Sequence, residues 1–119
     1  VPVGAVAQFI DAATSAVTTA APGVRVVAFG HVGDGNIHFN LSQPRGADPA
    51  EILAQRSTLQ RVVHDVAVGL GGSVSAEHGI GQAKRDELLH YKSDTEITLM
   101  RRLKSALDPD GILNPGKVI

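Results

Sequence analysis

The chain has 119 residues, a formal net charge of −1 and 43% hydrophobic residues, enough for one domain with a modest core. The lack of cysteine excludes disulfides and thiolate ligands. Lys and Arg gather on no stretch that would make a nucleic-acid surface, and no apolar run approaches the length of a bilayer span.

Val1 to Val3 read as the end of a strand, so the chain is expected to be cut from a longer protein. Val6, Phe9, Ile10, Ala13 and Val17 recur at helical spacing and predict a helix from about Gly4 to Ala20, ended by Pro22-Gly23. Val24 to Phe29 is an apolar, β-branched run whose character on both faces predicts a strand covered on both sides. Gly33-Asp34-Gly35-Asn36 is turn chemistry, and Ile37 to Leu41 alternates as a second strand of a hairpin. Asp48-Pro49-Ala50-Glu51 is a helix start, followed by one buried face of Ile52, Leu59, Val63, Val66 and Leu70, with Gly71-Gly72 as the stop.

Ser73 to Ala76 is expected to be short and extended, Gly79 to Gln82 a loop, and Lys84 to Leu89 a helical turn or two. Ser93-Asp94-Thr95-Glu96 is a capping box opening a last helix with Ile97, Met100, Leu103 and Leu107 inward, ended by Pro109-Asp110-Gly111. The tail from Ile112 to Ile119 has no periodicity. The order matches an α+β, ferredoxin-like βαββαβ layout: an antiparallel sheet, helices on one face, a truncated first strand, and an extra C-terminal helix and tail.

The sharpest chemical feature is Gly30-His31-Val32-Gly33-Asp34-Gly35-Asn36-Ile37-His38. With Asp34-Gly35 as the two central residues of a tight turn, His31 faces His38 on one side of the sheet, and Asn40 shares that face. Two imidazoles so placed suit one metal ion, and Glu77 is a candidate carboxylate to complete a two-His, one-carboxylate set that leaves positions open. Zn²⁺, Mn²⁺ and Fe²⁺ all suit such donors. If the segment is extended, His78 points away from Glu77 and stands beside the site as an acid or base. The simpler reading of a hairpin His pair is cross-strand packing, and both readings stay open on residues alone. Asp34 reads as a turn residue, His64 and His90 as surface or packing residues, and Lys84 and Arg85 as a solvated face. There is no Walker loop and no GxGxxG.

Three stretches together resemble the C-terminal domain of FAD-linked oxidases, the family of D-lactate dehydrogenases, the glycolate oxidase flavoprotein subunit and D-2-hydroxyglutarate dehydrogenase. They are Phe29 to His38, Ser75-Ala76-Glu77-His78-Gly79-Ile80-Gly81 with Lys84, and Leu107 to Lys117. The resemblance implies that His31, His38 and Glu77 ligate a divalent metal, foremost zinc. It implies that Asn40 contacts substrate and that His78 binds substrate and acts as catalytic base. It also implies that the tail with Asn114 and Lys117 returns towards the flavin. An upstream FAD-binding domain is expected, bringing the cofactor FAD and a small 2-hydroxy-acid substrate. The electron acceptor stays open among quinone, carrier flavoprotein, cytochrome and oxygen. The expected location is cytoplasmic or peripheral to a membrane. The chain alone is expected to be inactive and to self-associate, since apolar surface left bare seeks partners. Two alternatives stand beside this: a stand-alone 2-His-1-carboxylate metalloenzyme, and a non-catalytic ferredoxin-like binding or oligomerisation module.

Overall fold

Phe9, Ala13 and Val17 recur along one helix face, and in the computed structural model, which describes Val1–Ile119, they are the buried side of α1 (Val6–Ala20). Pro22-Gly23 breaks the helix and β1 (Arg25–His31) follows, paired antiparallel with β2 (Asn36–Ser42) in a two-stranded sheet. Asp48 accepts a hydrogen bond from the Ala50 amide at 2.9 Å with Pro49 in the first turn, opening α2 (Pro49–Ala54). The helices α3 (Arg56–Gly69), α4 (Arg85–Tyr91) and α5 (Asp94–Leu107) complete the α+β chain. None of them is long and apolar enough to cross a membrane.

The chain divides into two compact units, Val1–Val74 and Ser75–Ile119. In the first, α1 and α3 pack together, and both core clusters include side chains from the inner face of the hairpin. Val17, Ala21, Val24 and Leu59 form one cluster, flanked by Val26, Phe39 and Leu41. Phe9, Ala13 and Ala67 form the other, flanked by Ile37 and Phe39, with Phe9 meeting Phe39 edge-on at 5.7 Å. Burial of Leu59, one of the two largest fully enclosed side chains, contributes about 1.5–3 kcal/mol. This is the helix–strand–strand–helix centre of a ferredoxin-like arrangement.

Several sequence expectations are corrected. Val1 to Val3 is not a strand: Val3–Ala5 is a 3₁₀ turn, and only the Val1 amino group donates to the hairpin, to the Gly35 carbonyl at 2.8 Å. Pro2 has no amide hydrogen with which to continue a ladder. Ser73 to Ala76 is bent rather than extended. The helix expected across Asp48–Leu70 breaks at Gln55, whose amide donates to Ile52 at 3.1 Å in a tightened last turn while its carbonyl accepts from Leu59.

β1 is covered on one face only, leaving Val27 and Phe29 more than half exposed. In the second unit the capping box of α5 forms in full, and Lys92 together with the Ser93 donors pushes the Glu96 carboxyl down to about 2. Of its apolar stripe, however, only Ile97 is deeply buried; Leu103 and Leu107 are exposed.

Two glycines hold the hairpin's shape. Gly30 has φ 151° and lies so close to the opposite strand that an added Cβ would sit 2.3 Å from the Asn36 carbonyl oxygen. Gly35 has φ 67°, and a Cβ there would meet the Val1 carbonyl oxygen at 1.8 Å. Gly30→Ala is expected to cost about 2–4 kcal/mol, because a backbone clash adds to strain. Thermal unfolding within a degree of wild type would refute the required close approach.

Candidate functional site

The hairpin register pairs Val27 with Asn40, Phe29 with His38, and His31 with Asn36. These six residues lie on one face, opposite the core face of Val26, Ala28, Ile37, Phe39 and Leu41. The expected two-residue Asp34-Gly35 turn does not form. Val32–Asp34 is a 3₁₀ turn closed by Gly35, whose amide donates to Val32 at 3.1 Å. The longer turn moves the register by two residues, so His31 is diagonal to His38 instead of directly opposite. A two-residue shift keeps every side chain on its face.

The His31 and His38 rings therefore still meet, with centroids 6.5 Å apart at 75°. With metal–nitrogen bonds of about 2.0–2.1 Å, two imidazoles on one ion hold their centres roughly 5–6 Å apart. The observed 6.5 Å is a little wider than that spacing. Asp34, read as a turn residue, occupies the turn, and its carboxylate lies 3.9 Å from His31 Nδ1. Asn40 is exposed on the same face.

In the second unit, Glu77 and His78 sit on a bent loop. The Ser75 hydroxyl donates to the Gly79 carbonyl at 2.7 Å, and Lys84 Nζ donates to Ser75 Oγ at 3.3 Å. This clasp draws the segment into a turn, which overturns the expectation that the two side chains point apart: His78 Nε2 lies 3.7 Å from Glu77 Oε2. Both side chains reach solvent, His78 more than Glu77. Lys84, expected on a solvated face, instead helps to hold this loop.

The tail is tied to the same unit. Asp108, at the C-terminus of α5, is 6% exposed; its carboxylate accepts from the amides of Ile112 at 2.9 Å and Leu113 at 3.0 Å and from Lys104 Nζ. The Lys104 hydrogen bond and those two amides hold its carboxyl below the ordinary aspartate value. Asn114, at φ 46°, opens a turn in which its carbonyl accepts from the Lys117 amide. Lys117 Nζ donates to Gln82 at 3.2 Å, and the Val118 amide donates to the Gly81 carbonyl at 2.7 Å. Lys117 is thus engaged within the unit, through Gln82, which follows the Glu77-His78 loop in sequence.

The family described as FAD linked oxidases, C-terminal domain, matches residues 1–118. The chain belongs to this family. Across 118 residues, 99% of its length, it is 40% identical to a D-2-hydroxyglutarate dehydrogenase of Stutzerimonas stutzeri, of which it covers 25%. It is 45% identical over 94 residues, 79% of the chain, to the mitochondrial D-2-hydroxyglutarate dehydrogenase of Bos taurus, covering 16% of that protein. It is 43% identical over 98 residues, 82% of the chain, to a D-2-hydroxyglutarate–pyruvate transhydrogenase of Saccharomyces cerevisiae, covering 19% of it. The chain spans about a quarter or less of these relatives.

Within this FAD-linked oxidase domain, sequence reasoning missed three contributors. Phe29 has no site role in the sequence reading, being part of an apolar strand and of the Phe29–His38 stretch, although its position two residues from His31 places it on the histidine face. Ser75 has no role in the sequence reading, although Ser in a glycine-rich loop signals a side-chain-to-backbone turn. Asp108 has no role of its own in the sequence reading, although an acid just beyond a helix end can satisfy the amides that follow.

Because the folded Asp108 carboxyl titrates below its unfolded value, its contribution is complete above the ordinary aspartate value of 3.8 and is lost as pH falls through the lower folded value. Amide exchange at Ile112 and Leu113 is therefore expected to accelerate only in strong acid. Asp108→Asn, which loses the charge and one acceptor oxygen, should bring that acceleration to neutral pH. Equal protection in both proteins at neutral pH would remove Asp108 as the anchor of the tail.

Proposed function

We propose that this chain is the metal and proton-transfer side of a flavin-dependent dehydrogenase that oxidises a D-2-hydroxy acid, foremost of the 2-hydroxyglutarate class, to the 2-oxo acid. The observation that carries the reading is the pair of imidazoles, His31 and His38, on the face of the hairpin opposite its core face. Three relatives named for D-2-hydroxyglutarate chemistry support the substrate class over the lactate and glycolate classes. The proposal includes an FAD-binding domain preceding Val1, a location in the cytoplasm or at a membrane periphery, and no activity in the chain alone. The exposed Val27 and Phe29 support self-association of that isolated chain.

In this reading His31 and His38 hold a divalent cation, with Glu77 as the carboxylate donor, and Zn²⁺ suits the set ahead of Mn²⁺ or Fe²⁺. A bound ion supplies Lewis acidity for developing alkoxide charge, and the flavin supplies the hydride acceptor. Asn40 offers an amide to the substrate from the face that carries His38. His78 takes the hydroxyl proton as the Cα hydrogen leaves with its electron pair, so the oxygen lone pair forms the carbonyl. The oxidation would leave a 2-oxo acid and a protonated His78, with the two electrons passing to the flavin that the longer protein would hold. Asn114 and Lys117 face the flavin side in this scheme, and the final electron acceptor is left to the longer protein.

The full-length protein tests it. His78→Asn is expected to retain flavin and metal while turnover falls about 10²–10⁴-fold; turnover at the wild-type rate would eliminate the assigned base. Glu77→Gln should lower metal content after dialysis, measured by elemental analysis. Unchanged stoichiometry and affinity would strike Glu77 from the ligand set.

A further inference from the structure

Phe29 is an anomaly on the hairpin. It is a large apolar side chain on the solvent-facing side of β1, 56% exposed, so enclosure in the core does not hold it there. What it does touch is His38. The two are direct cross-strand partners, and their rings stack with centroids 5.1 Å apart and planes 17° from parallel. The same His38 ring meets His31 at 75°. A flat aromatic surface against one face of an imidazole opposes rotation of that ring about its Cβ–Cγ bond. It therefore limits the directions in which the ring nitrogens can point.

We propose that Phe29 is a positioning residue that fixes the plane of the His38 imidazole so that its donor nitrogen is preset for the cation shared with His31. The proposal rests on the reading of His31 and His38 as metal ligands and adds to it. A cation on the imidazole draws electron density from the ring and strengthens its attraction to the negative face of a stacked phenyl group. The contact is thus stronger with the ion bound than without it, and its loss shows in affinity and ligand-field geometry beyond any effect on folding. Groups that orient a metal-ligating histidine typically change metal affinity 10–100-fold when removed. The flatness of the ring is the property required, so tyrosine should replace Phe29 and leucine should not.

The test is titration of the metal-stripped full-length protein with Zn²⁺, and with Co²⁺ for its visible absorption bands. Phe29→Leu is expected to bind Zn²⁺ about 10-fold more weakly and to shift or broaden the Co²⁺ bands, with Phe29→Tyr close to wild type in both. If Phe29→Leu does not fold, Phe29→Ile, which suits a strand, decides the same point. Wild-type affinity and an unchanged Co²⁺ spectrum in the aliphatic variant overturn the positioning role, and so does a tyrosine variant as weak as the leucine one. A wild-type protein that binds neither ion, or a His38→Ala variant that binds both as wild type does, overturns the ligand reading itself and this proposal with it. The two failures are therefore distinguishable.

Discussion

Alternation in one hairpin governs the first unit. β1 and β2 must place Val26, Ile37, Phe39 and Leu41 against the helical core, because those side chains complete both core clusters. Once that face is committed, Val27, Phe29, His31, Asn36, His38 and Asn40 have no choice but the other. A slip of one residue in both strands would turn His31 and His38 toward the core and Phe39 and Leu41 toward solvent, a heavy cost for a marginally stable small domain. The chemical face is therefore specified by hydrophobic burial on the reverse side, and the polar residues need contribute nothing to their own placement.

That logic explains what could be read from the residues alone. The helix at Val6–Ala20, the hairpin, the start at Asp48-Pro49 and the capping box at Ser93 were all legible, because each is encoded by local periodicity or by a capping side chain. The shared face of His31 and His38 was legible too, even though the turn was not, since an even register error preserves the face. What escaped was set by interactions that local pattern does not carry. The Ser75–Gly79 clasp, not an extended segment, brings the Glu77 and His78 side chains near each other. Pro2 ends any ladder at the N-terminus, and Leu103 and Leu107 face solvent despite their helical spacing. Periodicity reveals which side chains share a stripe; it cannot tell how much of the stripe finds a partner.

The two units are held by different physics. Val1–Val74 has interlocking apolar clusters, so its hairpin is tied to the global stability of that unit. Ser75–Ile119 depends more on individual polar bonds: Ser75 to Gly79, Lys84 to Ser75, the Asp108 carboxylate to two tail amides and Lys104, and Lys117 to Gln82. Each such bond contributes about 0.5–1.5 kcal/mol net, more where a charge is involved. Segments organised this way open locally at lower free energy than packed strands do.

This difference matches the division of roles in the proposed reaction. Ligands of a cation must hold their donor atoms within a few tenths of an ångström, and strands backed by a core meet that demand. A proton acceptor has a looser requirement, because it must approach a hydroxyl, take its proton and then exchange that proton with solvent. His78, on a solvent-reaching loop closed by a hydroxyl-to-carbonyl bond, is suited to that cycle, whereas a histidine locked among packed side chains is not. The hairpin histidines are suited to the opposite task, and the ring of Phe29 stacked on His38 adds to the rigidity of that face. In the proposed reaction, then, the hairpin would supply rigid nitrogen donors, whereas Glu77 and His78 would act from a more adaptable loop.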